Sequence, residues 1–187
     1  TSEFREGVKI KKTIKKNNPI LKDDLLIKKN QNLVDTYKIQ IQSFLRSNNI
    51  VLNDDTDLEI SHHYGLNRFR EFGAGLISIV NRKEYCKKIV IQLPRQKHPY
   101  HFHKRKTETF HIFSGDLRIV KNGKVHDLKT GDIFHVEAKE WHKFSTHNGV
   151  IFEEISTQHF NNDSFYEDLV ISSKKREERK TFVKLNA

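Results

Sequence analysis

Apolar residues recur along this chain with two different periods. In "LVDTYKIQIQSFLRSNN", Leu33, Val34, Tyr37, Ile41, Phe44 and Leu45 fall near helical spacing, which predicts an amphipathic helix ending at Asn48-Asn49. From Leu58 the period shortens towards two. "LEISHHYG" and "AGLISIVN" read as strands, with "LNRFREFG" between them as a short helix closed by Gly73. "KKIVIQL", "ETFHIF", "LRIVKNGKVHDL", "DIFHVEA", "HKFSTHNG" and "VIFEEIST" follow as further short strands, and Asn122-Gly123 between two alternating runs predicts a two-residue hairpin. Strands this short and closely spaced imply a mainly β domain, an antiparallel barrel or sandwich. Ahead of the helix, residues 1–28 read as a small strand-rich piece ending in a proline-containing turn and the acidic "LKDD".

Length and composition narrow the picture. A chain of 187 residues suffices for one ordinary domain with a real core and some additional elements. No apolar run reaches the roughly 18 residues of a membrane span, and "TSEFREGVKIKK" lacks the apolar stretch of a secretion signal. With no methionine anywhere, the sequence is expected to be part of a longer natural chain. The single cysteine, Cys86, has no partner for an internal disulfide and is expected to be a small buried hydrophobe in a reducing, cytoplasmic setting. The net charge of +10 gathers at the two ends: residues 1–50 hold eleven Lys/Arg against five Asp/Glu, and "KKREERK" occupies 174–180. Neither run interleaves aromatic side chains able to stack on bases, so both read as solvated faces or tails and not as a nucleic-acid site. An anionic sugar or sugar phosphate is a ligand that such a field would favour.

Candidate chemistry is concentrated in "HPYHFHKRKTETFHIFSG", residues 98–115. On a strand, His101 and His103 point to the same face about 7 Å apart, close enough for two imidazoles to converge on one ion. After the polar "KRKT" turn, Glu108 opens the next apolar run and can face the same interior. His142, eleven residues after the turn glycine Gly131, adds a third imidazole. Three neutral imidazoles and one carboxylate form a mixed N/O set suited to a divalent Mn, Fe, Co, Ni or Zn ion with positions left open for a ligand. Glu153 and Glu154 are adjacent, so on a strand only one of them faces inward. His62, His63 and Tyr64 are expected to be half core and half pocket rim, and so candidates for substrate contact. The other histidines (His98, His111, His126, His135, His147 and His159) read as structural or surface residues, and Trp141 as barrel packing.

These residues resemble the cupin barrel, a double-stranded β-helix of the jelly-roll type, which is recognised by two motifs. The first, G-x5-H-x-H-x4-E-x6-G, is matched by His101, His103, Glu108 and Gly115, with Arg95 in place of the opening glycine. The second, G-x5-P-x-G-x2-H-x3-N, is matched by Gly131 and His142, with Glu137, Lys139 and Thr146 replacing the Pro, Gly and Asn. The resemblance implies a barrel over roughly residues 58–170, a few short helices on its N-terminal side, a metal held by His101, His103, Glu108 and His142, and a homodimer.

Two narrower likenesses refine the expectation. "HFHKRKTE" is similar to the metal loop of cupin-type D-lyxose ketol-isomerases, and "EEIST" to their strand bearing a catalytic glutamate, which implies catalytic roles for Lys106 and Glu154. "LEISHHYGLNRF", the stretch from Asn81 to Leu117, and "EISTQHFNNDSFYED" look like the cupin module at the C-terminus of some sialic-acid-synthase-type proteins. That likeness implies four segments: residues 1–30 as the tail of a preceding antifreeze-like domain or an N-terminal arm, 31–57 as helix and linker, 58–170 as the barrel, and 171–187 as a basic C-terminal segment. The function implied is a metal-binding cupin domain of a nonulosonic-acid synthase-like protein that binds a sugar or sugar acid, with no nucleic-acid or membrane partner. The alternative is a Mn-dependent sugar isomerase, in which Glu154 moves a proton between neighbouring carbons and Lys106 steadies the developing oxyanion.

Overall fold

The computed structural model describes residues 19–53 and 55–185. A long helix, α1 (Pro19–Ser47), precedes the strands β1 (Asp57–Ser61), β2 (Ala74–Asn81), β3 (Cys86–Gln92), β4 (Lys97–His103), β5 (Glu108–Lys121), β6 (Lys124–Lys129), β7 (Ile133–Val136), β8 (His142–Ser145), β9 (Val150–Ser156), β10 (Ser164–Tyr166) and, after a one-turn helix α2 (Leu169–Ser172), β11 (Lys180–Lys184). Only a single 3-10 turn, Leu66–Arg68, forms where the short helix before Gly73 was expected.

Helix α1 starts well before Leu33, so residues 19–28 are helical and not strand-rich. Pro19 read as a turn signal, yet a proline at the first helical position loses nothing, because that N–H has no intrahelical partner. The helix closes as expected. Asn49 takes a left-handed φ of 59°, Ile50 N–H donates to Leu45 O at 3.0 Å and Asn49 N–H to Arg46 O at 3.0 Å, the paired bonds of a Schellman cap. Residues 1–18, which held the rest of the N-terminal strand-rich reading, lie outside the described residues.

The strands pair antiparallel in the order β10-β4-β8-β5-β9-β3-β2-β1-β11, with β6 and β7 also on β5. "ETFHIF" and "LRIV" are not separate strands: β5 runs for 14 residues and belongs to both curved layers. Its first half pairs with β7 and β9, its second half with β6 and β8. Gly115 lies at the bend with φ +90°, and a Cβ there would collide with the Gly149 carbonyl, so only glycine allows the strand to cross over. The Asn122-Gly123 hairpin has positive φ at both residues, 47° and 81°, the geometry that matches strand twist. The basic C-terminal segment supplies β11, which pairs with β1.

Two apolar cores result from strict alternation along the central strands. Ile89, Ile91 and Ile151 face Val34, Tyr37, Ile41 and Leu45 of α1, whereas Val90, Val150 and Phe152 face the barrel interior with Phe110, Ile112 and Phe144. Because β3 and β9 are covered on both sides, they read as nearly continuous apolar runs. Arg95 and Lys139, which replace motif glycines, keep the left-handed backbone that those glycines would adopt, at φ 69° and 70°. The turns are thus preserved, at a cost of roughly 1–2 kcal/mol each.

Gly115→Ala is expected to cost more than about 3 kcal/mol and Gly123→Ala, in open space, about 1–2 kcal/mol. Lys139→Gly should lie between no change and a gain of about 1 kcal/mol, since strain relief outweighs added chain entropy. Urea denaturation of the three variants checks the order; equal losses at the two glycines would contradict the crossover role of Gly115.

Candidate metal centre

The interior face of β4 carries His101 and His103, β8 opens with His142, and β5 opens with Glu108. The β4–β8 register sets His101 opposite His142. All four side chains are buried, and one ring nitrogen from each of His101, His103 and His142 lies within 4.8 Å of the others. Three backbone carbonyls determine which nitrogen that is. Pro99 O lies 3.0 Å from His101 Nδ1, Asp163 O 2.8 Å from His103 Nδ1, and Glu140 O 3.0 Å from His142 Nδ1. A carbonyl only accepts, so each Nδ1 carries a proton, and in the neutral imidazole each Nε2 then presents a lone pair inward.

Those lone pairs meet a carboxylate. Glu108 Oε1 is 3.3 Å from His103 Nε2, and Glu108 Oε2 is 3.2 Å from His142 Nε2. Acceptors facing acceptors make no hydrogen bond, and both Glu108 Oε2 and His142 Nε2 are buried without a donor. Leaving such groups unpaired costs about 1–3 kcal/mol each, and a divalent ion among them satisfies both. The donor set therefore fits the metal implied by the sequence motif.

Electrostatics hold the centre in its binding form. Burial pushes the Glu108 carboxyl up, but the Lys106 ammonium outweighs it and holds the group well below the usual carboxylate range. Burial pushes Lys106 down, yet Glu108 at 2.5 Å and Glu154 at 2.8 Å raise it, so it stays an ammonium. Burial and neighbouring imidazoles press His101 well below its ordinary value, which keeps it a neutral ligand. Of the adjacent acids, Glu154 faces inward to Lys106 and Glu153 faces outward, paired with Lys87 and 3.6 Å from His111.

Residues 88–151 match the model of the cupin domain. The structure is similar to L-ribose isomerase from Geodermatophilus obscurus, with 15% identity and a TM-score of 0.63 over 76% of this chain and 94% of that one. It is also similar to Cellulomonas parahominis L-ribose isomerase with L-ribose, at 15% identity and a TM-score of 0.61 over 74% and 93% of the two chains. A variant of the Acinetobacter sp. DL28 L-ribose isomerase in complex with L-ribose gives 13% identity and 0.63 over 79% and 94%. The fold is that of a cupin. No curated protein matches the chain in sequence.

Within this fold, the loop between His103 and Glu108 is fixed by a residue that the sequence reading missed. Asp163, 2% exposed, accepts backbone N–H bonds from Lys104, Arg105 and Lys106 at 3.1–3.2 Å, while its own carbonyl orients His103. The loop thereby turns Lys106 inward and leaves Lys104 and Arg105 exposed. The only hint in the sequence is a turn-rich "NNDS", sixty residues away from His103.

The cavity beside the cluster encloses about 50 Å³. His98 and His159, read as structural or surface residues, line it along with Lys88, Glu59 and Tyr166. His98 stacks on Phe144 at 4.5 Å and lies 4.4 Å from the His101 ring. The expected substrate residues lie outside this lining. His63 is buried behind His98 at 4.6 Å, His62 bonds Thr181 at 2.9 Å, and Tyr64 donates to Asp168 at 2.5 Å on an outer groove. The polar-looking triplet alternates between core packing and surface because the strand ends at Ser61. Trp141 packs against Tyr100 and Phe102, as expected of a packing residue.

Five imidazoles are depressed in the folded state: His62 moderately, His63, His98 and His101 well below their ordinary value, and His159 to about 2, in each case first by burial, with neighbouring imidazoles or lysines adding to it. The unfolded chain takes up protons at these sites below pH of about 6.5 and the folded chain does not, so stability must fall with pH, by up to roughly 1.4 kcal/mol per pH unit for each imidazole. Urea midpoints of the metal-free protein are expected to be flat from pH 8 to 7 and to drop steeply from about pH 6.5 to 5. Constant stability across that interval would show these rings to be solvated.

Proposed function

We propose that this cupin binds a divalent metal and interconverts the aldose and ketose forms of a small sugar or sugar derivative. The observation that carries the reading is the buried Lys106–Glu154 pair, joined at 2.8 Å and touching the Glu108 end of the histidine cluster. His101, His103, Glu108 and His142 would hold the ion, which supplies Lewis-acid polarisation of a substrate oxygen when bound.

The protein's own groups supply the proton handling. Isomerisation moves one proton from C2 to C1 and another between the two oxygens, with no oxidant needed. Glu154 is bonded to Lys106 through Oε1, which leaves Oε2 to take the carbon-bound proton and return it to the neighbouring carbon. Lys106 stays charged, so it serves as a donor that positions Glu154 and stabilises negative charge growing on a substrate oxygen, and not as a base. The low-dielectric wall formed by Phe110 and Phe144 strengthens both effects. The L-ribose isomerases of similar fold, two of which were crystallised with L-ribose, support a substrate of pentose size.

A second reading is favoured by the size of the cavity. At about 50 Å³ it is well below the ~300–1,000 Å³ of ordinary small-molecule sites. A module that takes only part of a ligand, or that serves assembly without turnover, would need no larger space, and the synthase-appended cupins that this chain resembles in sequence are the context for such a role. The synthase context itself rests on sequence likeness alone.

Chelator-treated protein is expected to lose aldose–ketose interconversion and to regain it with Mn²⁺, measured on L-ribose and D-lyxose. Glu154→Gln should lower kcat by about 10²–10⁴ with metal content unchanged. Full activity without metal, or in Glu154→Gln, would contradict the isomerase reading; sugar binding without turnover by the metal-loaded protein would favour the second.

A further inference from the structure

Three lysines reach the cavity, and two are paired. Lys106 is shared by Glu108 and Glu154, and Lys180 Nζ lies 2.6 Å from Glu59 Oε1. The third, Lys88, is 5% exposed, lines the same cavity, and has no hydrogen-bond or ion-pair partner among the described residues. It lies on β3 with its Cα opposite Glu154 of β9, but that carboxylate is already engaged by Lys106. Its neighbour Lys87 points the other way and pairs with Glu153 outside the barrel.

A buried ammonium without a counterion is costly, and it costs more beside other cations. The crowding is felt by His159, whose pKa is pushed down to about 2 by burial and then by Lys88, Lys106 and Lys180. Glu59 is not free to compensate Lys88, since it faces Lys180 and, at 3.9 Å, Arg176. Three lysines and three glutamates (Glu59, Glu108 and Glu154) line the cavity, so its formal charges balance as it stands. A divalent ion on Glu108 would leave it positive, and an anionic ligand on Lys88, the lysine that no carboxylate touches, would offset that charge.

We propose that Lys88 is an anion-recognition residue of the cavity, so that the ligand is a sugar acid or sugar phosphate whose charged group meets Lys88 while its hydroxyls face the histidine cluster. The hydroxyl end of this assignment rests on the sugar-binding reading above; the anionic end rests on the isolation of Lys88. A carboxylate and a phosphate share the chemistry, and the choice of probe separates them.

The test is calorimetric titration of the full chain, metal-free and with Mn²⁺, using D-galacturonate, D-ribose 5-phosphate and L-ribose. At least one anionic probe is expected to bind at least about tenfold more tightly than L-ribose, and whichever does so identifies carboxylate or phosphate as the group. Lys88→Gln should erase that preference, leave L-ribose affinity within about twofold, and raise the ligand-free Tm by removing an unpaired buried charge. Lys88→Arg should keep the preference, which guards against a glutamine variant that folds poorly. Equal affinity for neutral and anionic probes, or an anion preference that survives in Lys88→Gln, would overturn the proposal. Anion-selective binding without turnover removes the isomerase reading and leaves Lys88 in place; turnover of L-ribose without anion preference does the reverse.

Discussion

Glu108 stands where a carboxylate, two imidazole lone pairs and an ammonium meet inside an otherwise apolar barrel. Each of those groups is expensive to bury alone, and the cost is offset only because they are arranged against one another. Lys106 keeps Glu108 ionised, the three Nδ1–H bonds to carbonyls keep the imidazoles pointing lone pairs inward, and the two orphaned acceptors at Glu108 Oε2 and His142 Nε2 leave room for one cation. The interior is thus polarised before any ligand arrives, which is the preorganisation that binding and charge stabilisation require.

Such an arrangement needs a rigid frame, and the fold provides it on two sides. The site residues come from the ends of strands β4, β5, β8 and β9, whose other faces are packed by apolar partners or paired along their length. Helix α1 seals the outer face of β2, β3 and β9 through Ile41 and its neighbours, so the layer that carries Glu154 and Lys88 is clamped from behind. The loop bearing Lys106 is the exception. It is not part of any strand, and Asp163 from beyond β9 holds it by its backbone N–H groups.

The fold class and the four-residue cluster were legible in the sequence because both depend on fixed spacing. His101, His103 and Glu108 lie within one hairpin-sized stretch, and His142 follows a turn glycine at a set distance, so no long-range information was needed to group them. Arg95 and Lys139 looked like departures from the motif, but the turns demand a backbone angle and not a residue type, and both side chains adopt it. What the sequence hid is what depends on folding back. His98, His159 and Lys88 are ordinary polar residues in their local context and become cavity residues, and Asp163 becomes the anchor of the metal loop, only when β3, β4 and the segment after β9 converge. The extent of α1 was hidden for another reason, since Pro19 signals a turn and a helix start equally well. His62, His63 and Tyr64 form a dense polar triplet in the sequence, but the strand ends at Ser61 and the three side chains diverge into core packing and an outer groove.

The metal centre itself is tested most directly by calorimetric titration of Mn²⁺ into chelator-treated wild-type protein and into Glu108→Gln. One equivalent of ion is expected to bind the wild type, and the variant should bind well over tenfold more weakly. An absence of binding heat in the wild type, or unchanged affinity in Glu108→Gln, would contradict a metal centre and leave the cluster as a hydrogen-bonded barrel interior.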